Sequence, residues 1–468
     1  MKHSRITPLL SVSIGLALTG CVNLAPEYTQ PSAPITDKWP AVQTNEGQEA
    51  KIDELEWREF YGDERLRQLI ELALSNNRSL RQTVFAVESA RAQFKITRAN
   101  RVPSLDGTGS STAQRSNGET SRSYSATLGI SAFELDFFGR LRNLREQALE
   151  TYLSNEESLR SIRITLVAEV ASAYYTLAAD QQRLRLAEST LESQQKSLDL
   201  TLKTFEIGTT SGLDVATAST SVDTARADIA TYQIQVAQDL NALTLLVGLA
   251  IDPALVEDAG IGITEPLAPL ISAIGPINEA PSELLQRRPD VLAAERTLRA
   301  ANANIGAARA ARFPSITLTT SAGSSSSQLS DLFDGGTGIW SFIPSVSIPI
   351  FNDGALKANV RLAEAQRNEA LASYEYTIQT AFQEVSDALN EQENIQELVA
   401  ARQSLVQANE KIYRLTDASF RKGLESSLSV LTAQREYNSA QLDMITTRLQ
   451  EANNLVTLYR VLGGGWQL

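Results

Sequence analysis

Cysteine and histidine are almost missing from this chain: Cys21 and His3 are the single examples among 468 residues. One cysteine cannot close an intrachain disulfide. Long hydrophobic runs are also missing. After the first twenty residues no stretch reaches the roughly 18 consecutive apolar residues a helical membrane span needs. From Arg140 to Glu206, and again from Ala355 to Arg421, there is neither proline nor glycine, so nothing interrupts a helix over either stretch. Excess positive charge is absent as well. The formal charge is −13, spread along the chain rather than clustered, which argues against nucleic acid as a partner.

The beginning reads as a secretory leader. Lys2, His3 and Arg5 form a basic start, and the apolar run from Leu9 to Leu18 is too short to cross a bilayer. Leu18-Thr19-Gly20-Cys21 has the form of a lipobox, so residues 1–20 are expected to be cleaved and Cys21 to carry lipid. Val22, in place of Asp, favours sorting to the outer membrane. Losing Lys2 and Arg5 takes the charge from −13 to −15. His3 leaves with the leader, and the Cys21 thiol is consumed. Ser-His-Asp and Cys-His catalysis and His/Cys metal sites are thereby excluded, and no paired acidic motif stands out. The expectation is a non-enzyme with no cofactor beyond the lipid on Cys21 and no metal. Residues 21–62, with Pro26, Pro31, Pro34 and Pro40, read as a lipid-anchored extended tail.

What the chain has in abundance is itself. Phe313-Pro314-Ser315-Ile316 repeats Val102-Pro103-Ser104-Leu105 at an offset of 211. Gly354-Ala355-Leu356 repeats Gly139-Arg140-Leu141, and Phe420 to Gly423 repeats Phe205 to Gly208, both at 215. The first unit is expected over 63–248, as a helix, a β-hairpin at 103–136, a long helix at 140–206 and a helix at 213–247. A Pro/Gly-rich linker at 249–282 precedes the second unit, 283–468, with a helix, a hairpin at 314–351, a long helix at 355–421 and a helix at 428–462. Leu159, Ile162, Leu166, Val170, Ala173 and Leu177, continued by Leu184, Ala187, Leu191, Leu198, Leu202 and Phe205, follow coiled-coil spacing. Ile378, Ala381, Val385, Leu398, Leu405, Ile412 and Leu415 do the same in the second copy. Each rod would reach roughly 100 Å, too long for a compact domain, and implies partner helices alongside.

The Ser/Thr-rich hairpins alternate with period two. Tyr124, Ala126, Leu128, Ile130 and Ala132 fall on one face and Ser125, Thr127, Gly129 and Ser131 on the other. Trp340, Phe342, Val346, Ile348 and Ile350 oppose mostly serines. Alternation alone fits a soluble half-buried sheet as well as a transmembrane barrel; the lipobox and the rods favour the barrel. Four strands cannot close a barrel, and open edges are forbidden in lipid, so the chain must oligomerise. A trimer of four-stranded chains supplies twelve strands, and symmetry alone also permits a dimer.

Phe133-Glu134-Leu135-Asp136-Phe137-Phe138-Gly139-Arg140-Leu141-Arg142, Leu284 to Asp290, Ile305 to Ala311 and Gly463-Gly464-Gly465-Trp466 carry a resemblance to OprM-like lipoproteins of the TolC family. The resemblance runs from the lipobox to the end of the chain. It implies a mainly α fold with transmembrane β: an internally duplicated homotrimer whose twelve-stranded β-barrel in outer-membrane lipid continues as a long α-helical barrel. It implies a passive drug-efflux duct in the cell outer membrane, extending into the periplasm, partnered by a periplasmic adaptor and an inner-membrane pump of the resistance-nodulation-division type. No nucleotide-binding loop is present, so that pump supplies the energy. Adaptor docking is expected at two helix breaks, Gly208, Thr209, Ser211, Gly212, Leu213 and Asp214, and Gly423, Ser426, Ser427 and Leu428. Glycine ends one helix at each break and Ser or Asp caps the next. The position matching the family's acidic periplasmic gate is Asp417, where three copies would form a ring that raises its own pKa. Arg414 and Arg421 are expected to hold that gate by inter-helix ion pairs, with Tyr413 and Asp199 as further candidates. A trimeric coiled-coil surface lipoprotein explains the rods and the anchor but not the hairpins. Metal-efflux and type I secretion ducts remain alternatives within the family.

Overall fold

A computed structural model describes residues 23–36, 56–257 and 285–464. The leader, Cys21, most of the tail, residues 258–284 of the linker and Gly465-Trp466 lie outside the described residues. Elements in chain order are α1 (Trp57–Phe60), α2 (Glu64–Asn76), α3 (Arg78–Ala99), β1 (Asp106–Ser116), β2 (Glu119–Leu135), α4 (Arg140–Glu206), α5 (Gly212–Val247), α6 (Pro289–Ala310), β3 (Ser315–Ser326), β4 (Gly338–Ser347), α7 (Ala355–Arg421) and α8 (Ser427–Val461). Among the described residues no helix is long and apolar enough to cross a membrane. The chain divides into two compact units.

Of the described residues, the first unit holds 23–32, 85–157 and 292–376. Its centre is an antiparallel sheet in the order β1-β2-β3-β4, so the two hairpins meet at the β2–β3 seam. The register sorts side chains by face. Leu128, Ala322 and Trp340 share one face, as do Ile130, Thr320 and Phe342; Gly129, Ser321 and Ser341 share the other. Trp340 is 80% exposed and Phe342 59%, which leaves the apolar face uncovered in a single chain. The alternation fails at one place. Ala132 adopts a positive φ of 47° at a β-bulge, its N–H donates to Thr319 Oγ1 at 3.1 Å, and Phe133 and Leu135 take over the apolar face in its stead.

The motif from Phe133 to Arg142 is a strand-to-helix joint. Arg140 clamps Glu134 through Nε at 2.8 Å and Nη2 at 2.5 Å, and the hydrogen bond to that carboxylate raises its pKa against the opposing effect of burial. Asp136 Oδ2 accepts from the Arg142 N–H at 2.7 Å, which caps the first turn of α4. Gly139 takes φ 74°, and its counterpart Gly354 takes 79°. In the same unit, residues 23–32 lie without helix or strand along α6. Asn302 Nδ2 donates to Pro26 O at 2.9 Å, Tyr28 donates to Glu295 Oε1 at 3.1 Å, and the Arg299 guanidinium sits 4.9 Å over the Tyr28 ring.

Of the described residues, the second unit holds 33–36, 56–84, 158–257, 285–291 and 377–464. Its core joins Leu66, Leu69 and Ile70 of α2, Val170 and Leu177 of α4, Val385 of α7 and Leu455 and Leu458 of α8. Residues 56–62 depart from the expected extended tail. Trp57, Phe60 and Tyr61 are buried, Phe60 stacks on Tyr459 at 4.3 Å, and three aromatic rings are reason enough to dock rather than trail. The single helix expected before the first hairpin is two, α2 and α3. Asn77 divides them because its Oδ1 caps the Leu80 N–H at 2.8 Å while its Nδ2 donates to Leu246 O at 2.7 Å. Arg288 explains the arginine–proline–aspartate motif: buried, it forks onto Asp290 at 3.1 and 2.7 Å and reaches Glu384 at 2.8 Å and Val461 O at 3.0 Å.

Candidate functional site

The apolar stripes of the two long helices do not stay buried to their ends. On α4, Leu166, Val170, Leu177 and Ala187 are covered, while Leu202 and Phe205 are exposed. On α7, Ile378, Ala381 and Val385 are covered, while Leu398, Leu405, Ile412 and Leu415 are exposed. Both stripes therefore lose their cover towards the two helix turns expected to dock a partner.

Each turn is built by glycine and closed by serine. Gly208 takes φ 76° and its N–H bonds Phe205 O at 2.9 Å, while Thr209 N–H bonds Thr204 O at 2.9 Å, which satisfies the last carbonyls of α4. Ser211 caps α5: its Oγ accepts from the Asp214 N–H at 3.3 Å, and the Ser211 N–H donates to Asp214 Oδ2 at 3.0 Å, a reciprocal capping box. The Ser211 hydroxyl and N–H hold the Asp214 carboxyl below its usual range. Gly212 keeps a negative φ as the first residue of α5. Gly423 repeats the break with φ 75°, and Ser426 Oγ accepts from the Ser429 N–H at 3.2 Å. The structure brings the two turns together, for Ser427 Oγ reaches Asp214 Oδ1 at 3.5 Å. Ile207, Leu213, Leu424 and Leu428 stand exposed around this contact, with Leu213 at 76%.

The gate candidates are arranged differently from the expectation. Asp417 Oδ2 pairs with Arg421 Nη2 at 2.9 Å and Arg414 Nη1 faces Glu410 Oε1 at 3.9 Å, each one turn apart on α7. Within the chain these are intrahelical pairs rather than inter-helix ones, because i,i+4 spacing puts the partners on one face. Tyr413 stacks on Tyr437 of α8 at 6.0 Å, and burial raises the Tyr437 hydroxyl. Asp199 is exposed on α4, and among the described residues no hydrogen bond or ion pair joins it to Asp417.

One polar cluster escaped the sequence reading. Asp180, buried on α4 and paired with Arg183, lies within hydrogen-bonding reach of Asp239 on α5. Desolvation first, then Asp180, pushes the Asp239 carboxyl up to about 6. Tyr232 and Asp228 face the same cluster from α5, and Arg183 Nη2 also donates to Thr446 Oγ1 of α8 at 3.0 Å. The signal available in the sequence was an aspartate placed directly after the apolar Leu177-Ala178-Ala179. Because the folded pKa lies above the ordinary one, the folded chain keeps its proton longer, and this carboxyl's contribution to stability falls as pH rises from about 4 to about 6. Asp239→Asn holds a neutral partner at every pH. The difference between its melting temperature and that of the wild type is expected to grow through that window and to stay level above it.

Among the described residues no group of His, Cys, Asp and Glu is placed to hold a metal ion. The family described as "OEP: Outer membrane efflux protein" matches residues 69–249 and 280–464, one stretch for each half of the duplication. The chain is 46% identical over 470 residues to the "Antibiotic efflux pump outer membrane protein ArpC" of Pseudomonas putida, covering 98% of this chain and 96% of that protein. It is also 46% identical over 470 residues, with the same coverage, to the "Toluene efflux pump outer membrane protein TtgC" of Pseudomonas putida. Among solved structures, the open state of the Neisseria gonorrhoeae MtrE outer membrane channel is 34% identical, covers 95% of this chain and 98% of its own, and superposes with a TM-score of 0.85.

Proposed function

The chain belongs to the outer membrane efflux protein family, and on that premise we propose that three copies wall one continuous passage from the periplasm through the outer membrane. It is a channel component of an efflux pump and not an enzyme. The observation that carries the trimer is the four-stranded sheet, whose outer edges, β1 and β4, pair with nothing among the described residues while its apolar face is bare. Such a sheet is stable in lipid only when closed, and three copies supply the twelve strands of a barrel. Two further features support association. The stripes on α4 and α7 are exposed towards the turns, and a groove of about 850 Å³ between Asn77, Ile162, Leu166, Asn241 and Leu245 stands open for a neighbouring copy.

The duct binds its cargo weakly and leaves energy and choice to an inner-membrane pump. The names of the relatives, one for antibiotics and one for toluene, favour small toxic apolar compounds as cargo. A periplasmic adaptor docks at the paired turns, where Leu213, Leu424 and Leu428 offer exposed apolar knobs around the Asp214–Ser427 contact. Cys21 supplies the lipid anchor. Asp417, held by Arg421, lines the closed tip together with Tyr413, Arg414 and, from α4, Asp199. Adaptor binding shifts the tip towards an open arrangement that these contacts otherwise disfavour.

Bilayer conductance of the purified protein tests the duct, and Asp417→Ala tests the tip. The variant is expected to conduct several-fold better than the wild type and to admit large antibiotics into cells. Conductance equal to that of the wild type would remove Asp417 from the gate.

A further inference from the structure

The four strands carry only five charged residues: Asp106 and Arg115 on β1, and Glu119, Arg122 and Glu134 on β2. The register separates them by sign. Asp106 pairs with Gly129, Glu119 with Ser116 and Glu134 with Thr317, all on the small-polar face. Arg115 pairs with Thr120 and Arg122 with Ala113, on the face that continues through Tyr124, Ala126 and Leu128 to Trp340. Both arginines are exposed, and among the described residues neither forms an ion pair. A guanidinium directed outwards from an apolar wall, with no acid on the four strands of that face, is open to an anion from outside the chain.

Their height on the wall says which anion. Tyr124 pairs with Ser326, the last residue of β3, so from there on β1 and β2 run past the strands of the second hairpin, whose residues 327–337 form its connecting loop. From Tyr124 to Leu135 the apolar face runs about 36 Å along the strand, or about 26 Å high at a barrel tilt of about 45°. That height matches the hydrocarbon band of an outer-membrane barrel. Arg122 stands about 7 Å past Tyr124 along the strand and Arg115 about 13 Å past it. The two occupy diagonal positions across the ladder, about 7–8 Å apart. Asn117 and Gly118, with φ of 53° and 86°, close the hairpin in a tight mirror-type turn, which fixes the register of both arginines. The turn lies at the end of the sheet away from the joint of β2 with α4, and hence in the outer leaflet.

We propose that Arg115 and Arg122, above the Tyr124 rim, form a site for the phosphate groups of outer-leaflet glycolipid headgroups. The inference rests on the reading of the sheet as part of a lipid-embedded barrel. Arginine is suited to the task because its planar fork bonds two phosphate oxygens at once, and its stem lies along the apolar wall beneath.

The test uses the full-length protein in detergent and bis-phosphorylated lipid A as the probe, with binding read by native mass spectrometry. The wild type is expected to retain the glycolipid and to ignore the same glycolipid stripped of both phosphates. R115Q/R122Q is expected to bind about tenfold more weakly, and R115K/R122K to fall between, since lysine keeps the charge but not the fork. Equal affinity of R115Q/R122Q and the wild type overturns the proposal. So does equal binding of the stripped glycolipid, or displacement of lipid A by inorganic phosphate at matched concentration. Bilayer conductance, measured on the same preparations and on the Asp417→Ala protein, reads the channel separately: a conducting variant that has lost lipid A supports the site, and a protein that does not conduct even as Asp417→Ala sinks the barrel reading instead.

Discussion

Glu451→Ala is expected to destabilise the second unit by about 3–5 kcal/mol, the range for stranding one member of a buried ion pair. Arg448 and Glu451 sit on α8 with side chains 6% and 3% exposed, and Arg448 Nη1 donates to Glu451 Oε2 at 2.8 Å. Gln396 of α7 donates to the other carboxylate oxygen at 3.0 Å, while Arg448 Nε has no partner among the described residues. Alanine at 451 leaves a guanidinium in a place water does not reach. Arg448→Met combined with Glu451→Leu removes both charges and keeps the volume, and is expected to melt close to the wild type. Thermal midpoints of the three proteins settle the matter. If the single and double variants fall equally, the pair acts through packing and not through charge.

The second large effect is steric. At Gly323 an added Cβ would meet the Ala126 carbonyl of the adjacent strand and lie 2.7 Å from Thr127 Cα, closer than real side chains come. Gly129, on the same seam, would put a Cβ 2.9 Å from Ser321 Cβ. Backbone cannot swing aside as a long side chain can, so Gly323→Val is expected to force β2 from β3 at a cost of about 3 kcal/mol or more per chain. Loss of heat-resistant oligomer on a gel, together with loss of conductance, is the expected result. Ser324→Val, one residue on and facing the other way, is the control and is expected to assemble normally. A Gly323→Val protein that forms stable, conducting oligomers would show that the seam is looser than it looks.

The sheet and the rods were legible in the sequence for simple reasons. Period-two alternation survives wherever one face is apolar and the other small and polar. A 67-residue helix declares itself by the lack of anything that could end it. The two helix turns were legible because glycine and serine have few other reasons to stand together between such rods. Most of the failures are places where a distant residue decides. Nothing near Ala132 announces a bulge, since the Thr319 hydroxyl that bonds its N–H is far away in the chain. Asn77 splits a helix without glycine or proline because Leu246 offers it a carbonyl. Trp57 to Tyr61 looked like tail until Tyr459 supplied a ring to stack on. Arg414 and Arg421 were expected to reach another helix, yet each found an acid one turn earlier on its own. Asp180 and Asp239 sit far apart in sequence, and only the pairing of α4 with α5 makes them neighbours.

The outer edges of β1 and β4, unpaired among the described residues, carry a consequence for inheritance. In a closed ring each copy gives one edge to the copy on its left and the other to the copy on its right, so a defect in either edge spoils the whole ring. A cell making sound and edge-damaged chains in equal amounts assembles only about one intact trimer in eight. Alleles that damage these strands therefore act as dominant poisons, while alleles that prevent the chain from being made at all are recessive.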